Sequence, residues 1–468
     1  MGRNKELALN SVYFMIGNLG AKVVSFVMVP LYTIWLVPEE YGVVDLINTY
    51  NQILLLIVGL GVADALVVFP INKETEEIEK QFSTAVLFHT LFCVIFFFIF
   101  LLVYFAKLEW LSSINPVIWY AYALLITSTT MRLIQSFCRG IKKMKVFSYT
   151  GIIHALSTAL LSILFVPSKG LFGYLAALVL SNVFTLLFII FYSKANKYFN
   201  IHSCSSDTLR EMLKYSIPLI PNSLMWWLIL GMNRPLLEQY HGIAAVGLLA
   251  VANKIPMLVD MFYGFFHQSW IVTIVSEYGK KGFESYYNSI LSAVVTFQSL
   301  ACIAIMGFGK ILFDLFIDTK YSEAWIYVPF MCLTVVISNI STFSTSIFNA
   351  VMKTKYLFYS VIYAAISAVI LNYLLIPNYG IWGALIAMML AHAISAISRI
   401  IYGWRFIKIN NIGYLLLNIL VCLVALFVVK IDNPFLMYSL LLLVLAIYGY
   451  LNRKYVTYIK SLLKKEKS

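Results

Sequence analysis

Eight charged residues stand inside otherwise apolar stretches of this 468-residue chain: Lys22, Asp45, Asp64, Arg132, Arg234, Lys254, Asp260 and Arg399. A charge at the centre of a bilayer costs roughly 2.5 to 3.5 kcal/mol on the insertion scale, so such groups mark a wet cavity, an ion path or a buried pair. Cations there can hold a phosphate or diphosphate. Carboxylates and imidazoles can relay protons. Six of the eight fall in four stretches, near residues 11–36, 42–69, 215–237 and 246–275.

Depth and spacing rank these groups. Lys22 lies near the middle of its stretch, roughly 15 Å from either end of a helix, with Asn18 and Ser25 on the same face. It cannot easily snorkel, so a wet lining is expected over a pair with Asp45 or Asp64. Asp45, Asn48 and Gln52 follow helical spacing and form a stripe too polar for lipid. Lys254 precedes Pro256, where a kink can open the backbone; pairing with Asp260, six residues on, is the competing reading. His267 stands one heptad beyond Asp260 and can share its face. Arg234 adjoins Pro235, with Glu238 one turn away as an ion-pair partner. Arg132 is open between lining and pairing, whereas Arg399 is close enough to a helix end for snorkelling. His89, His154 and His392 read as packing histidines. Trp226 and Trp227 read as interface aromatics, with sugar stacking as the alternative.

The elements that position these groups are transmembrane helices. Hydrophobic residues make up 61% of the chain and charged ones 12%, where a soluble domain carries about 25% charged residues. Fourteen apolar stretches run from about residue 11 to 451, each long enough to span. The second half repeats the first. At an offset of 205, Pro30 falls on Pro235, Gly42 on Gly247 and Asn48 on Asn253. At 210, Lys143 falls on Lys353, Lys145 on Lys355, Pro167 on Pro377, Gly170 on Gly380 and Gly173 on Gly383. The duplication divides the chain into a bundle over 1–200, its repeat over 201–408, and two further spans with a basic tail over 409–468. Within each repeat the Pro and Gly positions predict a tight return, between spans at 146–166 and 171–193 in the first.

Most of the 34 Lys and Arg fall on one side if the N-terminus is cytoplasmic, including Arg139, Lys142, Lys143 and Lys145. Lys107, Lys169, Lys310, Lys320 and Lys430 then lie outside. Both termini are expected in the cytoplasm. The net charge of +13 is a topology signal and needs no nucleic-acid partner. The first stretch is expected to stay as a span, since it lacks a cleavage site. The six cysteines have no metal-ligand spacing and no disulfide is expected.

No phosphate-cradling Gly-x-x-x-x-Gly-Lys-Ser/Thr loop is present, which removes nucleotide-driven pumping. The outer acids Glu39 and Glu40 could serve a glycosyltransferase, but a helix start is the plainer reading. No nucleophile motif stands in a credible context.

The opening Leu9-Asn10-Ser11-Val12-Tyr13, Pro30-Leu31-Tyr32, Pro38-Glu39-Glu40-Tyr41-Gly42, the basic loop from Gly140 to Lys145 and the duplicated six-span halves resemble polysaccharide repeat-unit flippases. These are the O-antigen, Wzx-like members of the multidrug/oligosaccharidyl-lipid/polysaccharide (MOP) exporter superfamily. The resemblance covers the whole chain. It implies an all-α integral membrane fold of about 14 helices, with two six-helix repeats in a V and two C-terminal helices, in the cytoplasmic (inner) membrane. It implies no catalysis and no cofactor. The implied cargo is undecaprenyl-diphosphate-linked oligosaccharide for O-antigen, capsule or another surface polysaccharide, moved outward by alternating access, with H+ or Na+ coupling and a polysaccharide polymerase downstream. On that reading Lys22, Lys254, Arg234 and Arg132 form the cationic lining, and Asp45, Asn48, Asp64, Asp260 and His267 the polar and coupling groups. A peptidoglycan-precursor flippase, a cation or drug antiporter of the same superfamily, and a membrane glycan polymerase or ligase are the alternatives.

Overall fold

The computed structural model describes residues 20–431 and 433–453. The Leu9-to-Tyr13 motif, Asn18 and the tail lysines Lys454, Lys460, Lys464, Lys465 and Lys467 lie outside the described residues. Among those described there are helices and turns and no strand. In order these are α1 (Gly20–Trp35), α2 (Pro38–Ile57), α3 (Val62–Val68), α4 (Thr75–Ala106), α5 (Ile118–Gly140), α6 (Met144–Ser193), α7 (Ser206–Ser216), α8 (Ile220–Leu230), α9 (Asn233–His241), α10 (Ile243–Ala252), α11 (Pro256–Glu277), α12 (Phe283–Phe316), α13 (Val328–Ala350), α14 (Lys355–Gly403), α15 (Ile412–Val428) and α16 (Pro434–Leu451). Six helices are long and apolar enough to cross a bilayer singly, and two bent pairs, α2 with α3 and α10 with α11, bring that to eight. With α6 and α14 each split by a glycine, and with the shorter apolar helices, about fourteen spans result.

The chain forms two compact units. Residues 1–227 with 242–247 make the first, and 228–241 with 248–468 the second. In the first, Phe82, Leu133 and Phe137 from α4 and α5 pack on Val62 and Leu66 of α3 and Met212 of α7. A second cluster joins Val43 and Ile47 of α2 to Val117, Leu124 and Leu175. The second unit centres on Trp270, stacked 5.0 Å from Phe343 and donating its indole N–H to Ser346 Oγ at 3.0 Å. The C-terminal helices α15 and α16 pack on α12.

The duplication is written in backbone angles. Gly170 (φ 52°, ψ −129°) and Gly380 (φ 55°, ψ −128°) break α6 and α14 at the predicted returns in the same conformation. That left-handed region suits glycine and penalises a Cβ. The helix ends before the basic loops also match, since Lys142 and Met352 take φ 59° and 55°. Lys143 N–H then donates to Cys138 O at 2.7 Å and Lys353 N–H to Phe348 O at 3.0 Å. This six-to-one bond caps the last free carbonyls of both helices.

Two spans depart from the continuous helices expected. The second bends by 64° between α2 and α3, where Gly59, Leu60 and Gly61 all have positive φ of 77°, 44° and 73°. The seventh is interrupted between α8 and α9, just before Asn233 and Pro235. The kink expected before Pro256 is present as a 50° bend between α10 and α11.

Glu40 starts a helix, as expected for the Pro-Glu-Glu run, and it also ties two turns together. Its carboxylate accepts from Val37 N–H at 3.2 Å and from Leu171 N–H at 3.2 Å, just past the Gly170 return. Further along, α2 meets the start of α10 backbone to backbone within the first unit. A Cβ on Gly42 would fall 2.1 Å from Ile243 O, and one on Gly247 would fall 1.9 Å from Pro38 O. Neither site can take a methyl group without parting the helices. Gly42→Ala and Gly247→Ala should each destabilise by about 1–3 kcal/mol, the usual cost of overpacking. Gly264→Ala on α11, with nothing within 4 Å of its Cβ, should not. Heating detergent-solubilised protein and following the monodisperse fraction checks this, and equal behaviour of all three variants would refute it.

Candidate functional site

In the first unit the bend of the second span carries an ion pair. Asp64 sits in the first turn of α3, and Arg132 of α5 donates through Nη2 to both carboxylate oxygens at 3.0 and 3.1 Å. The two side chains remain 36% and 38% exposed, so the pair is partly open and adds modestly to stability. The freed backbone at the bend finds a partner across the unit, with Ser216 Oγ donating to Leu60 O at 2.9 Å. Beside it, His89 Nε2 lies 3.0 Å from Thr130 Oγ1 and is buried.

Asp45 is half-buried on α2 within electrostatic reach of Tyr174, which Tyr32 and Tyr41 also neighbour. The Tyr32 and Tyr174 rings are 4.5 Å apart, and Tyr32 hydroxyl donates to Ser162 Oγ at 3.2 Å. Asn48 is half-buried one turn further along. Lys22 is different in kind. It is exposed on α1, and among the described residues it makes no ion pair. Trp227 donates to Thr49 O at 2.9 Å, so its indole N–H holds α2 in place.

The second unit holds a line of ionisable side chains on α11. Tyr263 lies within electrostatic reach of Asp260 and stacks at 5.5 Å on His267, whose Nε2–H donates to Thr342 O at 3.1 Å. Spacings of three and four residues put all three on one helix face. Arg399 stands behind them and acts electrostatically on Tyr263, His267 and His392.

Arg399 corrects the sequence reading. Expected to snorkel, it is 1% exposed. Its Nε donates to Ser360 Oγ at 3.0 Å and its Nη1 to Ser341 O and Oγ at 3.0 and 2.9 Å. Distance to a helix end does not reveal which face a residue occupies, and this face looks at α13 rather than at lipid. Lys254 lies half-buried in the break between α10 and α11. Arg234 turns back on its own chain, its Nη1 donating to Leu230 O and, at 2.8 Å, to Asn233 Oδ1. The structure therefore joins Arg132 to Asp64, and it sets Asp260, Tyr263 and His267 on one face of α11 with Tyr263 stacked on His267. Tyr263 was missed in the sequence, although its position between those two was a usable signal. The Ser341 and Ser360 partners of Arg399 carried none.

A family profile described as "Polysaccharide biosynthesis protein" matches residues 7–278, more than half of the chain. The chain belongs to that family. An uncharacterized membrane protein, MJ1375 of Methanocaldococcus jannaschii, is 21% identical over 398 residues, which cover 82% of this chain and 95% of that one. Among solved structures, the lipid II flippase MurJ in an inward closed conformation is similar with a TM-score of 0.69 at 16% identity, over 96% of this chain and 100% of the other. An inward-facing MATE-family multidrug transporter of the MOP superfamily is similar with a TM-score of 0.64 at 18% identity, over 84% and 94%. These likenesses establish a MOP-type fold. The chain is thus a multi-pass membrane protein with a MOP-type fold.

Arg399 is held by protein partners, whereas Lys22 is exposed. Arg399→Lys keeps the charge but loses the planar fork that reaches two serines at once. It should lower stability by about 1–3 kcal/mol, the worth of hydrogen bonds to a charged group. Lys22→Gln should leave thermal stability unchanged. Melting curves of both variants in detergent check the contrast, and a stable Arg399→Lys protein would count against the anchoring role.

Proposed function

We propose that this protein flips undecaprenyl-diphosphate-linked oligosaccharide repeat units from the cytoplasmic to the outer leaflet, by alternating access, for assembly of a surface polysaccharide such as O-antigen or capsule. Membership in the polysaccharide biosynthesis family and the MOP-type fold support a lipid-linked cargo. The observation that carries the choice of an anionic head group is Lys22. A lysine exposed on a membrane helix is costly against lipid, so its face must be wet. It is not engaged in an ion pair among the described residues, whereas Arg132 and Arg399 already have protein partners. Lys22 is the group assigned to the diphosphate, since an ammonium supplies a strong charge-assisted contact to phosphate oxygens. Lys254, in a broken helix, is the second basic candidate, in keeping with the use of discontinuous helices at transporter sites.

Coupling is assigned to the α11 series. Asp260 is exposed and shares a helix face with Tyr263 and His267, so H+ or Na+ binding there would bias the helix. The cytoplasmic membrane, with both termini inside, is the location this reading requires, with a polysaccharide polymerase as the next user of the product.

Lys22→Ala should abolish outward delivery of the glycan at normal protein levels. Lys22→Arg should retain part of it. A probe that labels only outward-facing sugar, applied to cells lacking the protein and complemented with each variant, reads this directly. Full delivery by Lys22→Ala would sink the assignment of Lys22. Unchanged outer labelling in the deletion strain would sink the flippase reading itself.

A further inference from the structure

The first unit contains an apolar cavity of about 210 Å³ that none of the intramembrane charges touches. Tyr50 and Leu54 of α2, Phe100 of α4, Leu125 of α5, and Trp110 with Leu111 in the turn after α4 form its walls. Besides the amphipathic Tyr50 and Trp110, the polar side chain in this lining is Asn51, and its amide donates to Ser128 Oγ at 3.1 Å. The cavity is therefore unsuited to sugar or water. It is suited to a hydrocarbon chain, and Trp110, 55% exposed, marks its open side.

Bulk acyl chains surround every membrane helix, so an apolar hollow alone does not select an occupant. A tail entering from lipid gains no hydrophobic free energy, because it leaves surroundings as apolar as those it enters. Only packing fit, or a head group held nearby, can retain it. A cation stands one turn beyond Val103, a wall residue of the cavity. Lys107 ends α4 in the left-handed conformation (φ 45°) and is exposed, three residues before Trp110. Among the described residues Lys107 makes no ion pair and no ring contact. The other outer lysines with recorded contacts differ: Lys310 pairs with Asp314 at 2.8 Å, while Lys169 and Lys430 lie over the rings of Phe165 and Trp382. Glu109 is close in sequence and forms no ion pair with Lys107.

We propose that this cavity and Lys107 form a binding station for a polyprenyl diphosphate, with the first isoprene units between α2, α4 and α5 and the diphosphate at Lys107. The proposal rests on the flippase reading, which supplies the isoprenoid class. It adds a place where the lipid is held at the end of α4 that the basic-residue distribution puts outside. The station is therefore one for outgoing product, next in line for the reaction that consumes lipid-linked glycan. A diphosphate outbids an ordinary phospholipid there because it brings two adjacent phosphates to one lysine, and its methyl-branched tail packs against walls of branched aliphatic side chains with Tyr50, Phe96, Phe100 and Trp110 among them.

The test uses full-length protein in lipid nanodiscs with two photoreactive probes, a polyprenyl diphosphate and a phosphatidylglycerol, and locates the crosslinks by peptide mass spectrometry. The polyprenyl probe should mark peptides from α2, α4 and α5. Ala121→Trp, whose larger ring fills the cavity, should remove that labelling, and Leu54→Trp offers the same block should the first variant fail to fold. Lys107→Gln should weaken labelling by about tenfold, the loss of one charge-assisted contact. Equal marking by phosphatidylglycerol would overturn the proposal in favour of ordinary surrounding lipid, as would polyprenyl marking that avoids these helices or survives the blocking variants. Because crosslinking is read without transport, the outward-sugar assay on the same proteins tells failure of the station from failure of the flippase reading.

Discussion

A helix that breaks or turns back frees backbone N–H and C=O groups, and each one out of reach of water costs several kcal/mol unless protein supplies a partner. The architecture of this chain follows from how it meets that demand. The Gly170 return borrows the carboxylate of Glu40, the bend at Leu60 borrows the hydroxyl of Ser216, and Ile376 O, just before the second return, accepts from His241 Nε2–H at 2.7 Å. Each partner comes from a different helix. Breaking a span therefore also ties that span to a neighbour, and the irregular points become joints between elements.

The two repeats solve the same problem with different chemistry. Their returns share backbone angles to within a few degrees. In the first, an acid accepts from an N–H beyond the return; in the second, a histidine donates to a carbonyl ahead of it. The backbone conformation is what was kept from the duplication, while the side chain that supports it diverged. The ionisable groups diverged further. The first unit couples Asp64 to Arg132 across a bend, and the second aligns Asp260, Tyr263 and His267 along one helix with Arg399 locked behind them. Equivalent helices have become unequal in charge.

Much of this was legible before any coordinates. Shared Pro, Gly and Lys at constant offsets located the returns and basic loops, because those residues act through the backbone and their effect is local. Pro256 announced the second bent span for the same reason. The first bent span was not legible, since Val58-Gly59-Leu60-Gly61-Val62 reads as unbroken apolar sequence and glycine within a helix is ordinary. Arg399 was misread because its depth was known and its facing was not. The partnership of Asp64 with Arg132 lies 68 residues apart in sequence, and nothing in one chain says which carboxylate a given arginine will find. Local punctuation can be read from a sequence. Choice among distant partners is decided by packing.

The matched returns at Gly170 and Gly380 also bear on how the protein is made. Each joins two helices with almost no intervening loop, so the entropy of closing that hairpin is small and its contacts lie close along the chain. Such a hairpin can assemble as soon as its second arm leaves the ribosome, and it enters the bilayer as a pair with the polar return satisfied by only one outside group. Biogenesis then becomes the docking of a few preformed hairpins. The tie from Glu40, 131 residues away in sequence, was already synthesised when the first return emerged, whereas His241 waits 135 residues for its carbonyl. In both halves the supporting side chain precedes the turn it supports, so neither return has to wait for a partner that does not yet exist.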